Sequence, residues 1–131
     1  MIVYFNTSKP LSEIEKVINK VVKEKGFELW LSTGDRYWSI SVPVDNVEYA
    51  TVLVNILKAV GVRHAELVVW YNRLPKIINV QDGVKFRALE LGVGDIDVTM
   101  IYNDVDNDVK VEFVGDVDGI INAFKTVEAM F

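Results

Sequence analysis

Phe27-Glu28-Leu29-Trp30-Leu31-Ser32-Thr33-Gly34-Asp35-Arg36-Tyr37-Trp38-Ser39-Ile40-Ser41-Val42 alternates in character on both sides of a central Gly-Asp pair. Side chains alternate across a strand, so each arm reads as a β-strand. Gly-Asp suits a two-residue hairpin turn with glycine at its first central position. The expected register sets Thr33 against Arg36, Leu31 against Trp38 and Trp30 against Ser39. Phe27, Leu29, Leu31, Trp38, Ile40 and Val42 then share one apolar face, which is a core face. Glu28, Trp30, Ser32, Tyr37, Ser39 and Ser41 share the other. Two large aromatics among hydroxyls suggest a surface that meets something.

Upstream of this hairpin, residues 2–6 form a short apolar run, followed by Leu11, Ile14, Val17, Ile18, Val21 and Val22 at helical spacing. Gly26 is the stop signal, and either Ser12 with Glu15, as a capping box, or Ser8 is the expected start. Downstream, Pro43 ends the hairpin, Asp45 is placed to cap a second helix with Glu48 three residues on, and Gly61 ends it. The middle of that helix, Val52-Leu53-Val54-Asn55-Ile56-Leu57, is apolar nearly all round. Such a helix is either sandwiched within the domain or backed by a second copy of the chain. Glu66–Tyr71 alternates again as a strand. Glu28-Leu29-Trp30-Leu31 and Glu66-Leu67-Val68-Val69-Trp70 echo one another, each following a helix and a glycine. The resulting order, strand-helix-strand-strand-helix-strand, is that of a ferredoxin-like βαββαβ unit with helices on one sheet face.

From Pro75 onward the pattern is an antiparallel meander. Gln81-Asp82-Gly83 reads as a loop pairing Ile78 with Phe86. Gly92-Val93-Gly94 reads as a three-residue loop setting Ala88 against Val98 and Phe86 against Met100. Residues 103–108 form a longer loop bringing Tyr102 opposite Val109 and Met100 opposite Val111. A last helix starts near Asp116, with Val117, Ile120, Ile121, Phe124, Val127 and Phe131 as its apolar stripe. The expectation is an α+β fold and a single domain over 1–131. A ferredoxin-like unit (1–72) is followed by the meander and C-terminal helix (75–131), which lie over the Trp30 and Tyr37 face.

The chain has 131 residues, half of them hydrophobic, enough to bury a core. It lacks an apolar run of membrane-spanning length and a basic, apolar leader, so no membrane partner is expected and the chain reads as cytoplasmic. Without cysteine there is no disulfide framework, thiol catalysis or thiolate metal site, and a single His64 leaves no histidine-rich metal site or triad. Scarce glutamine and absent cysteine lean toward a thermophilic source, which nine asparagines oppose. The net charge of −5 is concentrated in the second half: 9 Lys/Arg against 8 Asp/Glu in residues 1–73, and 5 against 11 in residues 74–131. An acidic chain is a poor partner for duplex DNA, and only the near-neutral half suits nucleic acid.

The candidate binding face is Trp30, Tyr37, Arg36 and Trp70, with Tyr4 beside them and Arg63, Arg73 and Lys76 as further cations. It suits either a protein partner, including a second copy, or single-stranded nucleic acid stacked on Trp30 and Tyr37. The expected register also sets Asp95 across from Asp116, with Asp97, Asp118 and Glu90 close by, a candidate Mg²⁺ or Mn²⁺ cluster for phosphate chemistry. The same Asp116 or Asp118 has a simpler role capping the last helix. Asp104, Asp106 and Asp108 start like a calcium loop, but Val109 stands where glycine is needed and Gly115 where a bidentate Glu belongs. His64 has no catalytic partner at a recognisable spacing, and no motif implies a cofactor. The leading expectation is therefore a non-catalytic interaction or self-assembly protein, working through the apolar helix or the aromatic sheet face.

Overall fold

The computed structural model describes residues 1–76, 88–103 and 108–131. The expected Ile78–Phe86 and Phe86–Met100 pairings and the loop around Asp104 and Asp106 lie outside the described residues. The elements are β1 (Ile2–Phe5), α1 (Leu11–Lys25), β2 (Trp30–Ser32), β3 (Trp38–Ser41), α2 (Val47–Ala59), β4 (His64–Tyr71), β5 (Ala88–Val93), β6 (Ile96–Asn103), β7 (Asp108–Asp116) and α3 (Val117–Glu128). The seven strands form one sheet in the order β2-β3-β1-β4-β7-β6-β5, and every pair of neighbours is antiparallel. The fold is α+β.

All three helices cover one face of this sheet. Alternation along the strands sends Val3, Phe5, Ile40, Leu67, Val69, Val98, Met100, Val111 and Phe113 into a single buried cluster with Ile14, Ile18, Leu53, Leu57, Ile120 and Phe124 of the helices. Val68, also buried, is outside that cluster because it points to the opposite face. α2 touches both α1 and α3, which explains its near-continuous apolar surface. Ala50, Val52, Leu53, Val54, Ile56 and Leu57 are all buried within this one chain, the first of the two expected alternatives. Among its exposed positions, Glu48, Asn55 and Lys58 are polar.

Several local expectations are corrected. The described strands of the meander do not lie over the Trp30 and Tyr37 face: β7 pairs with β4 along its whole length, from His64↔Asp116 to Tyr71↔Val109, and extends the sheet sideways. Strand β4 carries unpaired hydrogen-bonding groups on the side away from β1, and another strand satisfies them better than a stacked layer can. The β6–β7 register is the expected one, with Tyr102↔Val109 and Met100↔Val111. The β5–β6 register is not. Leu89↔Met100, Leu91↔Val98 and Val93↔Ile96 are the pairs, around a two-residue turn at Gly94-Asp95 in which Gly94 takes φ +60°. Ala88 therefore faces outward and Leu89, Leu91 and Val93 pack on the core. The odd-numbered shift inverts the strand, and it wins because it packs three large apolar side chains against the core in place of one alanine.

The helix starts also differ. α1 has Pro10 as N-cap with no side-chain cap, so neither Ser8 nor Ser12 serves there. α2 is capped by Asn46, whose side-chain oxygen accepts from Tyr49 N at 2.8 Å. Asp45 instead binds the Met1 amino group and accepts from Trp70 N, tying the starts of β1 and α2 to the end of β4. The stops match expectation, with Gly26 at φ +71° and Gly61 at φ +77°.

Candidate binding face

The hairpin pairs Trp30↔Ser41, Leu31↔Ile40 and Ser32↔Ser39, two residues off the expected register. A shift of two preserves which residues share a face, so the two-faced reading holds while the partners change. The tight turn at Gly34-Asp35 is replaced by a longer connection over residues 33–37. Within it Gly34 lies so close to Tyr37 that an added Cβ would sit 2.7 Å from the Tyr37 carbonyl oxygen. Glycine is needed there for close approach.

On the sheet face away from the helices, Trp30 is 54% exposed, Tyr37 55% and Trp70 38%. The registers order this face in rows. One runs Trp30, Ser41, Ile2, Val68, Glu112, Thr99, Glu90, and the next Ser32, Ser39, Tyr4, Glu66, Val114, Asp97. The Tyr37 ring meets Tyr4 edge-on, with centroids 5.5 Å apart. Trp30 and Tyr37 lie four residues apart along the ribbon, roughly 14 Å at about 3.4 Å per residue, with Ser32, Ser39 and Ser41 between them. They are separate anchors on a hydroxyl floor, too far apart to hold adjacent stacked bases. Trp70 sits at the opposite end of β4 from Tyr37. Arg36 is exposed in the hairpin connection.

A cleft of about 850 Å³ opens at the Tyr37 end, where β1 runs out and β4 begins. Tyr4, Tyr37, Glu66, Val68, Lys110 and Val114 supply its sheet wall, and residues 6–9 and 60–64 its rim. Lys9, Arg63 and Lys110 are its cations and His64 adds an imidazole, against Glu66 as its one carboxylate. Lys110 is engaged at 3.0 Å by Glu112, and Lys9 lies 3.9 Å from Glu13. Partial burial, and then the adjacent Glu112 carboxylate, raise the Glu66 carboxyl above its ordinary range, while Lys110 pulls it down. The cleft is thus locally cationic on a chain of net charge −5.

Tyr4, Arg63 and Glu66 were legible in the sequence as neighbours of this surface, whereas Lys9 and His64 were not. Only the strand order brings the loop after β1 beside the start of β4. Arg73 and Lys76, expected as further cations, are elsewhere. The Arg73 guanidinium lies 5.9 Å from the Tyr71 ring centroid and 5.8 Å from that of Phe131, and Lys76 N donates to the Met130 carbonyl.

Two of the four candidate metal ligands are engaged elsewhere. Asp116 is the N-cap of α3, accepting from Asp118 N at 2.9 Å, and Asp118 pairs with Lys58 at 2.7 Å. Asp95 sits in the β5–β6 turn, and Asp97 faces outward opposite Val114. Among the described residues, no group of three or more His, Asp or Glu side chains is gathered closely enough to hold a metal ion. No helix among them is long and apolar enough to cross a membrane. The sequence matches no protein-family model, and no curated protein and no solved structure matches it.

Proposed function

We propose that this chain is a non-catalytic binding module that self-associates through the open face of its sheet, built on a ferredoxin-like unit in residues 1–72. The strand order β2-β3-β1-β4, antiparallel throughout, with α1 and α2 on one face, supports the unit. One observation carries the self-association: Trp30, Tyr37 and Trp70 stand exposed on the face that none of the described helices covers. Tryptophan, tyrosine and arginine are the residues most enriched where binding energy concentrates, and Arg36 adjoins this surface.

The layout of charge favours a second copy as the occupant. Lys9 and Arg36 flank the β2–β3–β1 side, whereas Glu90, Asp95 and Asp97 flank the β5–β6 side. β4 is the middle strand of seven, so a two-fold axis over Val68 sets the cationic flank of each copy on the acidic flank of the other. Seven strands at about 4.8 Å and roughly 20 Å of length give a face of about 650 Å². That approaches the ~800 Å² per partner of a standard interface. Sedimentation at micromolar concentration is expected to give a dimer that dissociates in high salt. Trp30→Ala with Trp70→Ala is expected to give a folded monomer. A wild-type chain that stays monomeric at low salt and high concentration overturns the reading.

A further inference from the structure

Self-association draws on the charge of Lys9 at the Tyr37 end but does not explain the cleft there. A face-to-face dimer needs the middle of the sheet and its two flanks, and it gives no reason for a concave, hydroxyl-lined recess where β1 ends. We propose that this cleft binds a nucleotide unit, with the planar base against the Tyr37 ring and the phosphate toward Lys9 and Arg63. The cleft volume of about 850 Å³ lies in the range of small-molecule sites and is ample for one such unit. Tyr37 is held edge-on against Tyr4, which leaves its outer face exposed for stacking. Among the described residues the Arg63 guanidinium and the His64 imidazole have no hydrogen-bond or ion-pair partner, so both remain available to an anion. Glu66, in the same lining, is an acceptor for an exocyclic amine of the base.

The same geometry limits how a strand can lie. Glu112, Asp97 and Glu90 line the sheet toward β5 and repel a phosphate backbone in that direction. Trp30 stands roughly 14 Å from Tyr37 and cannot hold the neighbouring base. The site therefore takes one unit, either a free nucleotide or one residue of a short single strand, and the two share the same contacts.

Calorimetric titration with AMP, adenosine, inorganic phosphate and a short single-stranded oligonucleotide tests the assignment, with backbone amide shifts to map the contacts. AMP is expected to bind in low salt and to shift residues 6–9, 37 and 62–66, with adenosine and phosphate each at least tenfold weaker. An oligonucleotide that binds tenfold tighter than AMP identifies a strand as the source, and equal affinity identifies the free nucleotide. Tyr37→Ala is expected to weaken AMP roughly tenfold, the loss of one stacked base. Arg63→Gln is expected to do the same and to flatten the salt dependence. Both residues are exposed, and an unchanged melting temperature confirms that each variant folds. No binding by any probe, or binding that ignores both substitutions, overturns the proposal. The same titration in the Trp30→Ala, Trp70→Ala background separates it from self-association: the dimer would cover the sheet wall of the cleft, so the monomeric variant is expected to bind AMP at least as tightly as wild type, and loss of AMP binding in that folded variant overturns the proposal.

Discussion

Tyr71 shows how one side chain can hold both packing and strain. Its ring stacks on Phe131 at 3.9 Å between centroids and 11° between planes, yet its buried hydroxyl has no hydrogen-bond partner among the described residues. An unsatisfied buried hydroxyl costs on the order of 1–3 kcal/mol. Tyr71→Phe keeps the ring and removes the hydroxyl, so urea unfolding at neutral pH is expected to show an unchanged or higher midpoint. Burial, then the charges of Glu128 and Asp45, raise this phenol well above its ordinary range, with Arg73 pulling it down. A raised pKa stabilises the fold fully below the unfolded value of about 10, and that contribution is lost as pH climbs toward the folded value. The advantage of Tyr71→Phe is therefore expected to widen above about pH 10. Glu66 obeys the same sign at the acid end. Its raised carboxyl favours the protonated form in the fold, so Glu66→Gln is expected to melt no lower than wild type at pH 7. The gap should close as pH falls below the carboxylate range, and a Glu66→Gln protein that melts well below wild type at pH 7 contradicts this.

At the scale of elements, most ends were legible and most starts were not. Gly26 and Gly61 ended α1 and α2 as expected because a left-handed C-terminal residue is a local demand that glycine meets alone. Starts have several local solutions, and tertiary contacts choose among them. Asp45 and Asn46 are both good caps. Asp45 was drawn away by the Met1 amino group and Trp70 N, which left the cap to Asn46. Asn46→Ala is expected to cost about 1 kcal/mol in urea unfolding. The hairpin teaches a similar lesson about turns. Gly34 is required, but by the nearness of the Tyr37 carbonyl and not by a positive φ. Gly34→Ala forces the connection to move, and is expected to cost about 1–3 kcal/mol and to alter the amide shifts of Tyr37 and Tyr4. Unchanged stability and shifts would show that the connection yields freely.

For the whole molecule the decisive feature is β4, the strand at which the two halves meet. It pairs with β1 on one side and β7 on the other, and α3 of the second half packs on α2 of the first. Neither half can leave without exposing a long unpaired edge and the buried row Leu67, Val69 and Tyr71. Unfolding is therefore expected to be a single cooperative transition. All three tryptophans lie in the first half, so their fluorescence reports that half, whereas far-UV circular dichroism reports both. The two curves are expected to coincide in urea, and separated midpoints would show that the halves unfold independently.

Element types, the faces of the hairpin, the β6–β7 register and the stops of the first two helices followed from the sequence alone. Each depends on periodicity or on a conformation that one residue type satisfies. Tertiary structure decided what periodicity leaves open. The β5 register turned on whether Ala88 or Leu89, Leu91 and Val93 found a core to pack on. The site for the meander turned on the unpaired edge of β4, which draws strands sideways and leaves Trp30 and Tyr37 uncovered. The cleft is wholly a product of strand order, because Lys9, Tyr37 and Arg63 meet only where the end of β1 is placed between β3 and the start of β4. Sequence spacing records what lies on one element, and contacts between elements depend on how backbone hydrogen bonds and buried area are satisfied together.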